Sequence, residues 1–147
     1  MKVSEIMTRD VWLAGPDQKL RDVAAEMERH DIGVLPVGDN DRLVGMITDR
    51  DIAVRGISHG LGPEASVRDV MSAEVKYCFE DDEIDDLAQS MAAERIRRLP
   101  VLNTKKRLVG IVSLCDLATC RNGRATGIAL SGISQTGGHH CQSSAWL

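Results

Sequence analysis

The chain has 147 residues, of which 43% are hydrophobic and 27% charged, with 22 acidic against 18 basic side chains and a formal net charge of −4. This is the composition of a folded globular chain, and the length suits one domain or two small units sharing a core, which excludes a large multidomain enzyme. The acidic balance and the scarcity of aromatic residues (Trp12, Tyr77, Phe79 and Trp146) exclude nucleic acid as the main partner, because a duplex binder carries a basic face and a single-strand binder needs stacking platforms.

Residues 1–10 are charged and hold no apolar run of the roughly 7–15 residues that a signal peptide needs, so a cytoplasmic protein is expected. Residues 3–7 read as a short lead-in helix and 11–13 as a strand. Leu20, Val23, Ala24 and Met27 recur at i, i+3, i+4 and i+7, which predicts an amphipathic helix over 18–30. Two apolar runs at 34–37 and 43–48, separated by Gly38-Asp39-Asn40-Asp41, read as a hairpin, and a second helix is expected over 49–57. Residues 56–66, with three glycines and a proline, form the link to the second half.

That second half repeats the first. Residues 67–71 echo the lead-in, 75–77 the first strand, and Ile84, Leu87, Ala88 and Met91 the apolar stripe of a helix over 82–94. Ile-x-x-Leu-Pro-Val occurs at 32–37 and again at 96–101; Arg-Leu-Val-Gly occurs at 42–45 and at 107–110. Strands at 98–102 and 108–113 and a helix at 114–120 complete the copy. Pro36 and Pro100 suit an edge or the start of a strand. Repeat one is thus assigned to 1–58, a linker to 59–66, repeat two to 67–120, and a Gly/Ser-rich tail, expected to stay outside the core, to 121–147. From Ala125 onward there is no Asp, Glu, Lys or Arg, yet Gly, Ser, Thr, Gln and His fill the segment, so a membrane span is not expected. A sheet with helices on one face leaves its other face apolar, so the fold class expected is α+β, two β-α-β-β-α units packed sheet to sheet with pseudo-twofold symmetry.

The doubled Ile-x-x-Leu-Pro-Val, turn, Leu-Val-Gly-x-(Ile/Val)-(Thr/Ser)-x-x-Asp-(Ile/Leu)-Ala pattern resembles a tandem pair of CBS domains, a Bateman module, over residues 1 to about 120. The chain is also similar to small stand-alone bacterial proteins made of little beyond one such pair. The resemblance implies a regulatory or sensor module that binds an adenosine-containing ligand (AMP, ADP, ATP, NAD or S-adenosylmethionine) in clefts between the repeats. It implies a homodimer of pairs acting through dimer rearrangement or an unidentified protein target, and neither catalysis nor a required cofactor.

Thr48-x-x-Asp51 and Ser113-x-x-Asp116 each fall where a strand gives way to a helix. Ser or Thr with an acid three residues on matches a capping box. The same place suits phosphate, because the first N–H groups of a helix are unpaired, and a carboxylate can accept two hydrogen bonds from a ribose. In the resembled family this motif touches phosphate and ribose, which carries ligand binding onto Thr48, Asp51, Ser113 and Asp116. Arg97 and Arg98 stand where the family places a basic residue that reaches phosphate bound mainly by the other repeat; here that is the site of Thr48 and Asp51. The matching positions in the first copy are Gly33 and Val34, so two unequal sites are expected, the first better suited to a phosphorylated ligand. The alternatives are a structural or interaction protein with vestigial clefts, in which capping is the motif's whole role, and a redox or metal sensor built on cysteine and histidine.

The acids of Glu80-Asp81-Asp82-Glu83, with Asp85 and Asp86, read as a solvated helix start rather than a cation site. His139-His140-Cys141 lacks the spaced partners of a zinc site, so no metal ligands are assigned. The four cysteines (Cys78, Cys115, Cys120 and Cys141) have no CxxC spacing, and reduced thiols are expected, with Cys115 buried among apolar neighbours. No GxSxG, HExxH or Walker A sequence is present.

Overall fold

The computed structural model describes residues 1–135. The fold is α+β, with two sheets and flanking helices, as expected, and it forms two compact units. Among the described residues, one comprises 10–76 with 106–108; the other comprises 1–9, 77–105 and 109–135. Relative to the sequence repeats 1–58 and 67–120, the lead-ins change places between the units. Val3 and Met7 are buried with Ile84, Leu87 and Met91, whereas Val67 and Val70 are buried with Leu20, Val23 and Met27.

In the first unit, α1 (Leu20–His30) turns Leu20, Val23 and Met27 inward, as its spacing predicts. It ends on Asp31 in the left-handed conformation (φ 52°), after which the Ile32 N–H returns to the Met27 carbonyl at 3.0 Å. Strand β1 (Val34–Asp39) pairs antiparallel with β2 (Arg42–Thr48) across Asn40-Asp41. Both turn residues have positive φ, 49° and 62°, the geometry that matches strand twist in a two-residue hairpin. The strand expected at 11–13 is absent. Trp12 and Leu13 are exposed, and only Ala14 bridges to Val37, through Ala14 N–H to Pro36 O and Gly38 N–H to Ala14 O, both 2.9 Å. After β2 comes α2 (Asp49–Asp51), which continues as a wider π-type turn over Ile52–Gly56 and a tighter 3-10 turn over Ile57–His59.

The second unit holds a three-stranded sheet in the order β3 (Cys78–Phe79), β4 (Arg98–Leu102), β5 (Leu108–Ser113). Its first strand lies just beyond the 75–77 expected. Pro100 therefore sits inside a central strand, rather than at the edge or strand start expected of it. The ladder tolerates it because β3 pairs only with Val101 and Leu102. Helix α3 (Ile84–Glu94) buries Ile84, Leu87, Ala88 and Met91. Its left-handed terminator is Arg95 (φ 54°), matching Asp31. Helix α4 (Leu114–Thr119) follows β5.

The expectation that the tail from 121 stays outside the core is corrected for its described part by α5 (Gly123–Ile133), which packs on α3 and buries Ala125 and Ala129 completely in the unit's core; residues 136–147 of that tail lie outside the described residues. Its small residues make that packing possible, since a Cβ at Gly132 would overlap the Cβ of Ala92 and stand 2.9 Å from its carbonyl oxygen. Asn122 caps the helix, its Oδ1 accepting the Ala125 N–H at 3.0 Å.

The repeated Leu-Val-Gly has a similar cause. A Cβ at Gly45 would meet Met71 Sδ at 2.7 Å and Ser72 O at 2.9 Å, and one at Gly110 would meet Met7 Sδ and Thr8 O, both at 2.8 Å. Each glycine lets a lead-in segment bridge to its hairpin, at Met46 with Ser72 and at Ile111 with Thr8.

Candidate functional site

The geometry of the motif starts from the end of β2. Thr48 leaves the strand in extended conformation (φ −120°, ψ 160°), and its Oγ1 accepts the Asp51 N–H at 3.0 Å. In return Asp51 Oδ2 accepts the Thr48 N–H at 3.0 Å, completing a capping box. The second copy is built alike. Asp116 Oδ2 accepts both the N–H and the hydroxyl of Ser113 at 2.7 Å, and Ser113 Oγ accepts the Asp116 N–H at 3.3 Å. The strand–helix junction is pinned in both copies by the residue before the hairpin: Asp49 N–H donates to Gly33 O at 3.0 Å and Leu114 N–H to Arg97 O at 2.9 Å.

The structure thus brings Thr48 to Asp51 and Ser113 to Asp116, and places Arg97 and Arg98 in the unit of Ser113 and Asp116. Arg97 contributes its backbone carbonyl to the start of α4. Both arginine side chains are exposed, and among the described residues neither guanidinium has an ion-pair or hydrogen-bond partner. They remain available to an anion.

Sequence reasoning missed Arg55. Its Nη2 lies 2.7 Å from Asp51 Oδ1 and 2.9 Å from Ser72 Oγ, so the carboxylate of the first motif is engaged at both oxygens. The i,i+4 spacing of Asp51 and Arg55 was the available signal. The second copy has Cys120 at that position, and Asp116 Oδ1 has no partner among the described residues.

The acidic run has local partners. Asp82 Oδ2 accepts the Phe79 N–H at 2.8 Å, Lys2 Nζ lies 3.6 Å from Glu83, and Asn122 donates to Asp85 at 3.4 Å. Among the described residues no three His, Cys, Asp or Glu side chains gather as a cation site, and His139-His140-Cys141 lies outside the described residues. Cys115 is exposed, correcting the buried thiol expected, because it lies on the outward side of α4 whereas Leu117 turns into the core. Among the described residues the buried thiol is that of Cys78, its pKa pushed up to about 12 by burial and then by the nearby Asp82 charge. Among the described residues no helix is long and apolar enough to cross a membrane.

The CBS-domain family model matches residues 3–56 and 67–123. The chain belongs to the CBS-domain family and carries two copies of the domain. It is 38% identical over 138 residues to the CBS domain-containing protein YhcV of Bacillus subtilis, covering 93% of this chain and 98% of that one. It is 39% identical over 116 residues to hypoxic response protein 1 of Mycobacterium tuberculosis, covering 78% and 80%. A crystal structure of hypoxic response protein I with two coordinated zinc ions matches with a TM-score of 0.73 at 38% identity, covering 80% of this chain and 97% of that one. The CBS domain pair of protein MJ0100, solved in complex with 5′-methylthioadenosine and S-adenosyl-L-methionine, matches with a TM-score of 0.72 at 28% identity, covering 80% and 93%.

Proposed function

We propose that this CBS pair is a regulatory sensor, not a catalyst, that binds an adenosine-containing ligand such as AMP, ADP, ATP, NAD or S-adenosylmethionine. Thr48 with Asp51 and Ser113 with Asp116 supply the polar contacts, the carboxylates to ribose and the hydroxyls to phosphate. Arg98, helped by Arg97, supplies the cation for a phosphate held at Asp51. The ligand acts by shifting a homodimer of pairs or its contact with a target protein.

One observation carries this reading: the same hydroxyl–carboxylate pair is built twice, to the same hydrogen-bond pattern, at the same strand–helix junction. The similarity to the MJ0100 pair, solved in complex with two adenosine compounds, supports the ligand class. Capping alone accounts for the motif's local geometry, so the test must read binding. A thermal-shift screen of the five ligands, with and without magnesium, is expected to give a hit; a ligand at 100 times its Kd stabilises by about 2.7 kcal/mol. Silence toward every nucleotide would leave capping as the motif's role. A shift with zinc alone would favour a metal sensor akin to the zinc-bound relative.

A further inference from the structure

We infer that Arg55 sets how readily the first motif takes a ribosyl ligand, by competing with the ribose hydroxyls for Asp51; the inference rests on the adenosine-binding reading above. A carboxylate that receives both hydroxyls of a ribose must offer its outward oxygen. In the first copy Oδ2 is committed to the Thr48 N–H and Oδ1 to the Arg55 guanidinium at 2.7 Å. In the second copy the equivalent oxygen of Asp116 has no partner among the described residues, because Cys120 replaces the arginine. The two sites therefore differ in a second respect besides phosphate recognition: a neutral ribosyl group meets a competitor at Asp51 and none at Asp116.

The ion pair is built to open. The same Arg55 Nη2 also donates to Ser72 Oγ at 2.9 Å, so the guanidinium keeps a partner when Asp51 is given up. Its Nε is buried without an acceptor among the described residues, so the seat on Asp51 leaves one donor unmet. The Arg55 side chain is 42% exposed, and an i,i+4 pair so exposed opposes a ligand only modestly. An anionic ligand would meet the released guanidinium as a gain, whereas adenosine would not. Arg55 thereby tilts the first site toward phosphorylated ligands.

The test is calorimetric titration of adenosine into the full chain, in an Asp116→Asn background so that only the first motif is read. Arg55→Gln is expected to bind adenosine roughly two- to five-fold more tightly, the reach of an exposed ion pair, and Arg55→Lys to stay at the parent value. Binding by the parent should tighten toward that of Arg55→Gln as ionic strength rises to about 1 M, where the screening length is about 3 Å, while Arg55→Gln changes little. A merely structural arginine would give no such salt response. Arg55→Cys, the residue of the second copy, repeats the measurement should Arg55→Gln fold poorly. Unchanged or weaker binding in the Arg55 variants, with Asp51→Asn still abolishing it, overturns the competition and leaves the site reading standing. Adenosine affinity untouched by Asp51→Asn overturns both.

Discussion

Asp51 has two tasks, and their energies separate in experiment. Its carboxylate closes a capping box with Thr48, a contribution of about 1 kcal/mol to folding, and in the proposed function it also receives the ribose. Asp51→Ala is therefore expected to lower the melting temperature slightly and to remove most nucleotide affinity, both read on the same preparation. Equal titration curves for wild type and Asp51→Ala, with both folded, would refute the assignment. Arg98→Ala should weaken AMP by tenfold or more, since a hydrogen bond to a charged group contributes about 1.5–3 kcal/mol, and leave adenosine nearly unaffected. Asp116→Ala should have the smaller effect on AMP. The thiols make a separate contrast. Alkylation near neutral pH followed by peptide mapping should label Cys115 in the folded protein and reach Cys78 only on unfolding, because the buried thiol is held protonated.

At the scale of the element, the glycines report where backbones meet. Gly45→Ala would drive a methyl to 2.9 Å from the Ser72 carbonyl oxygen, and Gly110→Ala to 2.8 Å from that of Thr8. Backbone cannot yield as a methionine side chain can, so each should cost about 1–3 kcal/mol, measurable by urea denaturation. Helix α5 offers the larger test. Removing it by truncation after residue 122 takes Ala125 and Ala129 out of the core and bares the face of α3 that includes Ala92. That truncation should lower the melting temperature substantially, and Gly132→Val should do so by forcing the two helices apart. A truncated chain that melts like the full one would show that the helix contributes nothing to the core.

Stability of the whole chain should respond to pH through the same buried thiol. Cys78 loses its proton near pH 9 when unfolded but only near 12 when folded, so its contribution is complete below pH 9 and is lost as pH rises through 12. Wild type compared with Cys78→Ala by chemical denaturation should show a difference that is flat to pH 9 and then shrinks by on the order of a few kcal/mol. At the acid end, Lys19 and then Arg21 hold the Glu64 carboxyl below its ordinary value, at 2.6 and 3.2 Å. That contribution is present above the ordinary carboxylate range and fades as pH falls below it. It is exposed to solvent and should vanish at high salt. The proposed homodimer is tested by light scattering, where a mass near 16.0 kDa at micromolar concentration would refute it.

The sequence alone determined the two-fold repeat, the stripes of α1 and α3, both hairpins and the Thr/Ser-x-x-Asp junctions. All of these are local: helical periodicity, turn chemistry and capping act within a few residues, and writing the pattern twice made it unambiguous. Tertiary structure decided what depends on partners distant in the chain. The lead-ins exchange because Val3 fits the core of Ile84 and Leu87 while Val67 fits that of Leu20 and Val23, a choice between equivalent apolar surfaces that spacing cannot rank. Helix α5 escaped notice because glycine and serine weaken a helix in isolation, and only packing against α3 makes their smallness an advantage. The Asp51–Arg55 pair is itself local, but the second anchor of its guanidinium is Ser72, seventeen residues away in sequence and brought near by the bridge between Ser72 and Met46.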